Sequence, residues 1–304
     1  MNKAEFLERR RQGIGASDVA AIMGLNPFRS AMGVYLEKVG LKEEEDENDS
    51  LVYGTLFEKI IAERFAERMG VKIRWMGQEQ IVGPEDWMFA HPDFEVLSTP
   101  TEGGECKFTG YPDPDLWGEA GTDHIPDYYH LQAQWQMLCK GWSVVNVTVL
   151  FSGRRREQRD YRVWADAELQ QAALSACRDF WVNHVLPQQE PPLDWTTDSR
   201  NFVNQRFPTV TEESPREATD DEAVLIAEYA KTHALWKGLE REKERLANEV
   251  KEAIGPNRGL VGPGFKVSWS MHAGSTYTVT RKPGRVLHTG GELFKEEKRA
   301  AGLF

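Results

Sequence analysis

Residues 90–108 read AHPDFEVLSTPTEGGECKF. A Pro-Asp turn and a Gly-Gly pair set Asp93 a short loop ahead of Glu105 and Lys107. The run 104–108 reads as a strand, and strand side chains alternate, so Glu105 and Lys107 share one face while Cys106 points the other way. The Cys106 carbonyl remains available between them. Two carboxylates and a carbonyl make an oxygen-only set suited to Mg²⁺, which keeps several waters. A lysine beside such an ion orients or deprotonates a water, or stabilises charge developing on a phosphate. The tripeptide alone says little, because Glu-x-Lys recurs at 249–251 and 296–298. A solvated strand face is the competing reading, and the surrounding elements weigh against it.

Working outward, residues 53–69 carry apolar residues at 57, 60, 61 and 65, helical spacing that Gly70 stops. Short β-like runs follow at 72–76, 86–90 and 104–108. A helix is expected over about 125–140, between Pro126 and Gly141, then a β-branched strand at 143–151. A strand near 159–164 and a helix from Asp166 to about 186 follow. Two short helices, 17–24 and 30–39, flank the Asn26-Pro27 break. The order helix, three strands, helix, strand predicts a mixed α/β fold, with a central mixed sheet flanked by helices. On the helix 53–69, Glu58 projects within about 20° of Phe65, at the edge of the apolar face, where a carboxylate needs a partner. On the helix 125–140, Tyr128 and Gln132 stand one turn apart. Gln132 is placed to meet a metal-bound water or a phosphate, or is an ordinary boundary glutamine.

The whole chain of 304 residues is 40% hydrophobic and 11% aromatic, enough for a packed core. The mean hydropathy is −0.56, and no segment has the run of roughly 18 apolar residues of a membrane span. MNKAEFLERRRQG lacks a signal-peptide core, and three cysteines without CxxC spacing argue against a disulfide framework or zinc site. A reducing cytoplasm is expected. The net charge of −11 argues at first against nucleic acid. It is unevenly spread, however: residues 200–304 hold 17 Lys+Arg and 15 Asp+Glu, leaving 20 and 33 in residues 1–199. Positive charge is local, at Arg9–Arg11, Lys107, Arg154–Arg156 and Arg281–Arg285, and much acid sits in the run 43–49. A Pro-rich stretch near 187 divides a first domain, 1–195, from an extension, 196–304. In the extension, 219–254 reads as one long helix. Its Leu239, Leu246 and Val250 suit a coiled-coil contact, or packing on its own domain. The run 266–287 alternates like a β-hairpin.

Six motifs together resemble a known family: RRQGIGASDVAAIMGLNPF (10–28), YGTLFE (53–58), HPD (91–93), ECK (105–107), WG (117–118) and IPDYYHLQAQWQM (125–137). The sequence is similar to the YqaJ-type viral recombinases, phage alkaline exonucleases related to lambda exonuclease, in the PD-(D/E)XK nuclease superfamily. The resemblance implies that Asp93, Glu105 and the Cys106 carbonyl hold Mg²⁺ (or Mn²⁺), that Glu58 helps directly or through water, and that Lys107 is the catalytic lysine. It implies that Gln132 borders the active site and that Arg10 and Ser17 grip a 5′-phosphate, with Arg9 or Arg11 as alternatives to Arg10. Phe94 departs from the family pattern, which often has Gly after Pro-Asp.

The expected activity is 5′→3′ digestion of linear double-stranded DNA that leaves 3′ single strands for recombination by strand annealing. The implied partners are DNA ends, a phage single-strand annealing protein and further copies of the chain in a ring. The setting is the cytoplasm of a bacterial host, with a phage or prophage gene and no membrane. The alternatives are an endonuclease with the same site and a non-catalytic DNA-binding scaffold.

Overall fold

The computed structural model describes residues 8–42, 49–77, 79–99, 101–110, 113, 116–153, 156–211, 214–271 and 287–302. The chain forms two compact units, Met1–Gln205 and Arg206–Phe304.

The first unit opens with β1 (Ile14–Gly15), a 3-10 turn at Ala16–Asp18, α1 (Val19–Ile22), α2 (Ala31–Lys38) and α3 (Asp49–Met69). Short strands β2 (Ile73–Trp75), β3 (Ile81–Val82), β4 (Met88–Ala90) and β5 (Phe94–Val96) follow, then β6 (Glu102–Thr109). The helix α4 (Asp127–Lys140) crosses to β7 (Val144–Phe151), which pairs with β8 (Glu157–Trp164). After α5 (Ala167–Phe180) a π-helical turn, Trp181–Val185, precedes α6 (Thr197–Arg206).

The central sheet has the order β2-β5-β6-β7-β8. Only β6 and β7 run parallel, as the crossover helix between them requires; the other pairs are antiparallel. Helices α3 and α4 cover opposite faces. Cys106 packs with Ile61, Ala62 and Phe65 of α3 and with Phe94 and Val96, whereas Val145, Val147 and Val149 pack with Leu131 and Trp135 of α4. The expected mixed α/β core is therefore present.

One strand differs from expectation. The run 86–90 leaves the central sheet: β4 pairs in parallel with β1 and antiparallel with β3 in a separate three-stranded sheet. All three β4 side chains are buried, and Trp135 Nε1 donates to the Phe89 carbonyl at 3.1 Å. Pro92 has no N–H to continue a ladder, and the chain turns there into β5. Asp93 thus stands immediately ahead of β5. The Gly-Gly pair has a packing role beside β5: a Cβ at Gly104 would overlap the Phe94 ring, and one at Gly103 the Trp142 ring. Phe94, the departure from the family pattern, fills the space that Gly104 leaves and lies 5.1 Å from the Phe65 ring.

Just past the Pro-rich stretch lies α6, whose Asp198 accepts from the Ser30 N–H (2.9 Å) and hydroxyl (2.8 Å). In the second unit, α7 (Asp220–Ile254) starts at a capping box between Thr219 and Glu222. Its Leu239, Leu246 and Val250 are exposed. A tight hairpin, β9 (Gly259–Gly262) and β10 (Phe265–Ser268), turns at Gly264, where φ is +76°. It begins earlier than the hairpin expected over 266–287, most of which lies outside the described residues, with Arg281, Lys282 and Arg285. Arg154, Arg155 and residues 43–48 lie outside them too. The helix α8 (Glu292–Ala300) follows, and its Phe294 ring lies 6.2 Å from Tyr229. Among the described residues no helix is long and apolar enough to cross a membrane.

Candidate active site

The antiparallel pairing of β5 with β6 sets the first carboxylate. Phe94 lies opposite Gly104, and the Asp93 N–H donates to the Gly104 carbonyl at 3.1 Å. The Asp93 side chain turns back onto β6, where its Oδ2 accepts from the Cys106 N–H at 2.6 Å. Glu105 lies on the α4 face of β6, as alternation requires. Both its oxygens are engaged: Oε1 accepts from Lys107 Nζ (2.7 Å) and Gln132 Nε2 (2.6 Å), and Oε2 from Gln136 Nε2 (2.5 Å). Asp93 is 8% exposed and Glu105 6%.

The electrostatics are those of crowded carboxylates. Burial, then the Glu105 charge and more weakly Glu58, hold the Asp93 carboxyl well above its usual range, against the Cys106 hydrogen bond. Burial and then Glu105 raise Glu58 as well, against Lys107, so Glu58 from α3 shares the field of the site. Burial alone would lower Lys107; Glu105 and then Tyr129 outweigh it and hold the ammonium above the ordinary lysine value. Lys107 Nζ sits 4.8 Å over the Tyr129 ring.

Arg10 and Ser17 meet at one turn but face differently. Ser17 is exposed in the 3-10 turn. Arg10 reaches inward to Glu37 Oε1 (2.9 Å) and Asp18 Oδ1 (3.2 Å), while Arg9 and Arg11 are exposed. Arg29 spans the same two carboxylates, and Lys38 Nζ lies 2.7 Å from Asp18 Oδ2. His91 links the two regions. Burial and then Arg10 bring its imidazole down to about 4, against the opposing fields of Glu105 and Asp18.

The sequence reading passed over Gln136 and the charge cluster. The signal for Gln136 was present, since it follows Gln132 by one helical turn on the same face. Asp18, Arg29, Glu37 and Lys38 carried none, because their pairing exists only once β1, α1 and α2 have folded together.

A divalent cation fits the oxygen set. Asp93 and Glu105 are buried side by side with Glu58 close enough to be felt, and this excess of negative charge is what a cation neutralises. Among the described residues no group of three Asp, Glu, His or Cys side chains is placed to hold a metal ion. Mg²⁺ needs only one or two carboxylates and retains water.

Asp93 also has a stability consequence. Its folded-state pKa lies above the unfolded value of about 3.9, so the ionised carboxylate costs stability once pH rises past that value. Asp93→Asn keeps an oxygen to accept from Cys106 and removes the charge. It raises the melting temperature of metal-free protein near about pH 8 by a few degrees, at about 2–4 °C per kcal/mol, and the gain disappears near about pH 4. Thermal melts in EDTA across that range check this; a lower melting temperature for the variant at the alkaline end overturns it.

Residues 5–143 match the YqaJ-like viral recombinase domain, a span that holds every candidate site residue. The chain is 25% identical over 274 residues to the uncharacterized protein YqaJ of Bacillus subtilis (strain 168), covering 88% of this chain and 83% of that protein. Among solved structures, it is similar to the alkaline exonuclease LHK-Exo of Laribacter hongkongensis, with 20% identity and a TM-score of 0.47 over 62% of this chain and 95% of the other. A phage related exonuclease from Haemophilus somnus 129PT matches at 11% identity and a TM-score of 0.43, over 58% and 96%. Over residues 5–143 the first unit of this chain is thus similar to the YqaJ-like viral recombinase domain.

Proposed function

We propose that the protein is a Mg²⁺-dependent nuclease that digests linear double-stranded DNA 5′→3′ and leaves 3′ single strands for annealing. The observation that carries this reading is the buried Glu105, clasped by Lys107, Gln132 and Gln136 beside the buried Asp93. A charged and amide-rich cluster of this kind is costly to bury and adds little to a core. Its placement inside the recombinase domain supports a catalytic use.

Asp93, Glu105 and the Cys106 carbonyl would hold the ion, with Glu58 beside them. When bound, the ion supplies Lewis acidity and a more acidic water. The chain's own residues do the rest. Lys107, kept protonated by Glu105, is a fixed positive charge aimed at the place where a phosphate gains charge in the transition state. It cannot serve as the base while it keeps that proton, so the raised pKa favours its electrostatic role. Gln132 and Gln136 fix the Glu105 carboxylate, and α4 and the Tyr129 ring limit water around Lys107. Arg10, whose Nε and Nη2 are engaged by Glu37 and Asp18, would bring its positive charge to the end phosphate, with the Ser17 hydroxyl on the adjoining turn.

The test is a 3′-labelled linear duplex with a 5′-phosphate, set beside covalently closed circular DNA. Linear DNA is expected to shorten from its 5′ ends with Mg²⁺ or Mn²⁺, circles to survive, and EDTA to stop the reaction. Cut circles would point to an endonuclease. Full function with Asp93→Ala, or in EDTA, would point to a scaffold.

A further inference from the structure

Phe28 stands 76% exposed between α1 and α2, yet its backbone is fixed. Asn26 Oδ1 accepts from the Phe28 N–H at 2.9 Å and the Arg29 N–H at 3.2 Å, an Asx turn. Pro27 restricts φ within that turn. The following residue is anchored by its side chain, with Arg29 bound to Asp18 at 2.6 Å and Glu37 at 2.7 Å. An apolar ring held in water on a rigid turn contributes nothing to the core. Its setting gives it a use. Its ring meets Tyr128 edge-on at 5.8 Å and 86°; Tyr128 lies 4.4 Å from Tyr129, and Tyr129 carries Lys107 Nζ over its face. The aromatic series runs from solvent to the lysine of the candidate site. Exposed rings beside cationic groups are how proteins hold nucleobases without reading sequence, since every base has a π-face.

We propose that Phe28, backed by Tyr128, is a stacking platform for the terminal nucleobase of the DNA end being processed; this rests on the nuclease reading above. Phe28 acts as a positioning residue: it touches no reacting atom, but fixes the base so that the attached sugar-phosphate lies toward Lys107 and Glu105. Phenylalanine offers no hydrogen bond to a base, so the platform holds all four bases.

The experiment places 2-aminopurine at the 5′ terminus of a short blunt duplex and titrates in wild type, Phe28→Ala, Phe28→Trp and Phe28→Leu. Fluorescence is read in EDTA, where cleavage is off, and cleavage is then timed with Mg²⁺. Wild type is expected to quench the probe. Phe28→Ala should lose the quench and cleave about 10- to 100-fold less efficiently, the size of one base–aromatic stack, with an unchanged melting temperature. Phe28→Trp should restore both readouts and Phe28→Leu neither. Quenching and cleavage by Phe28→Ala at wild-type levels, or full rescue by leucine, overturns the platform and leaves the nuclease reading intact. Wild type that cleaves no DNA overturns the nuclease reading. In that event the quench alone decides: its loss in Phe28→Ala sustains the platform, and its absence from wild type ends it.

Discussion

Lys107→Ala is expected to lower cleavage of linear duplex by about 10²- to 10⁴-fold, the range spanned by a positioned proton-transfer group or a charge-stabilising donor. The expectation rests on where the ammonium is and on what keeps it charged. Nζ lies 2.7 Å from Glu105 Oε1 and 4.8 Å over the Tyr129 ring. Burial works against the charge, and Glu105, then Tyr129, restore it. In the metal-free protein this raised value keeps Lys107 an ammonium at neutral pH. The wild-type rate should therefore show no fall from lysine deprotonation as pH rises toward about 10. A rate that instead climbs across that window, as the ammonium gives up its proton, would make Lys107 a base. Alanine also leaves Glu105 with only its two glutamine partners. Removing one partner of a buried pair destabilises, so rates are compared at a temperature where circular dichroism shows both proteins folded. Wild-type rates in folded Lys107→Ala would overturn the mechanism. Lys107→Arg separates charge from shape: it keeps the cation but replaces a compact ammonium with a planar fork, and a partial loss is expected.

How much of this was legible in the chain depends on the range of the interaction. The shared face of Glu105 and Lys107 and the place of Gln132 on its helix follow from local periods, two along a strand and 3.6 along a helix, whereas the bond from Gln132 to Glu105 comes from the packing of α4 on β6. The crossover helix and the long strand after it are equally plain, because each is long, periodic and bounded by Pro126 and Gly141. The assignment of 86–90 fails for a physical reason. A three-residue strand buried on both faces has no alternation to show which sheet it joins, and that choice depends on Ile14 and Gly15, far away in sequence. The helix 197–206 is hidden by a polar composition that carries no apolar stripe. What holds it is the long-range bond from Ser30 to Asp198.

Asp18 shows the same limit and carries the other large expected effect: Asp18→Asn should destabilise the first unit by about 3–5 kcal/mol. The carboxylate is wholly buried and takes four donors. Oδ1 accepts from Arg10 (3.2 Å) and Arg29 (2.6 Å), and Oδ2 from Lys38 (2.7 Å) and the Gly15 N–H (3.0 Å). Burial pushes the carboxyl up, but Lys38, Arg29 and Arg10 together win and hold it far below the usual carboxylate range. Asparagine removes the charge and turns an NH₂ donor toward cations. Glu37 then still faces all three cations, with the Arg10 carbonyl 2.8 Å from Lys38 Nζ, and Lys38 has no exposed surface through which to regain water. At about 2–4 °C per kcal/mol the melting temperature falls by roughly 6–20 °C near pH 7. The pH dependence has a fixed sign. A folded-state pKa below the unfolded value near 3.9 contributes stability that is present above that value and is lost as pH falls below it. Urea unfolding should therefore separate the two proteins most at neutral pH and bring them closer toward about pH 3. Adding Lys38→Met to Asp18→Asn removes the cation that suffers most from the lost partner and should recover part of the difference. An Asp18→Asn protein that melts within about 1 °C of wild type at neutral pH would mean that the three cations find other relief. Asp18 would then not be what holds Arg10 in place for a phosphate.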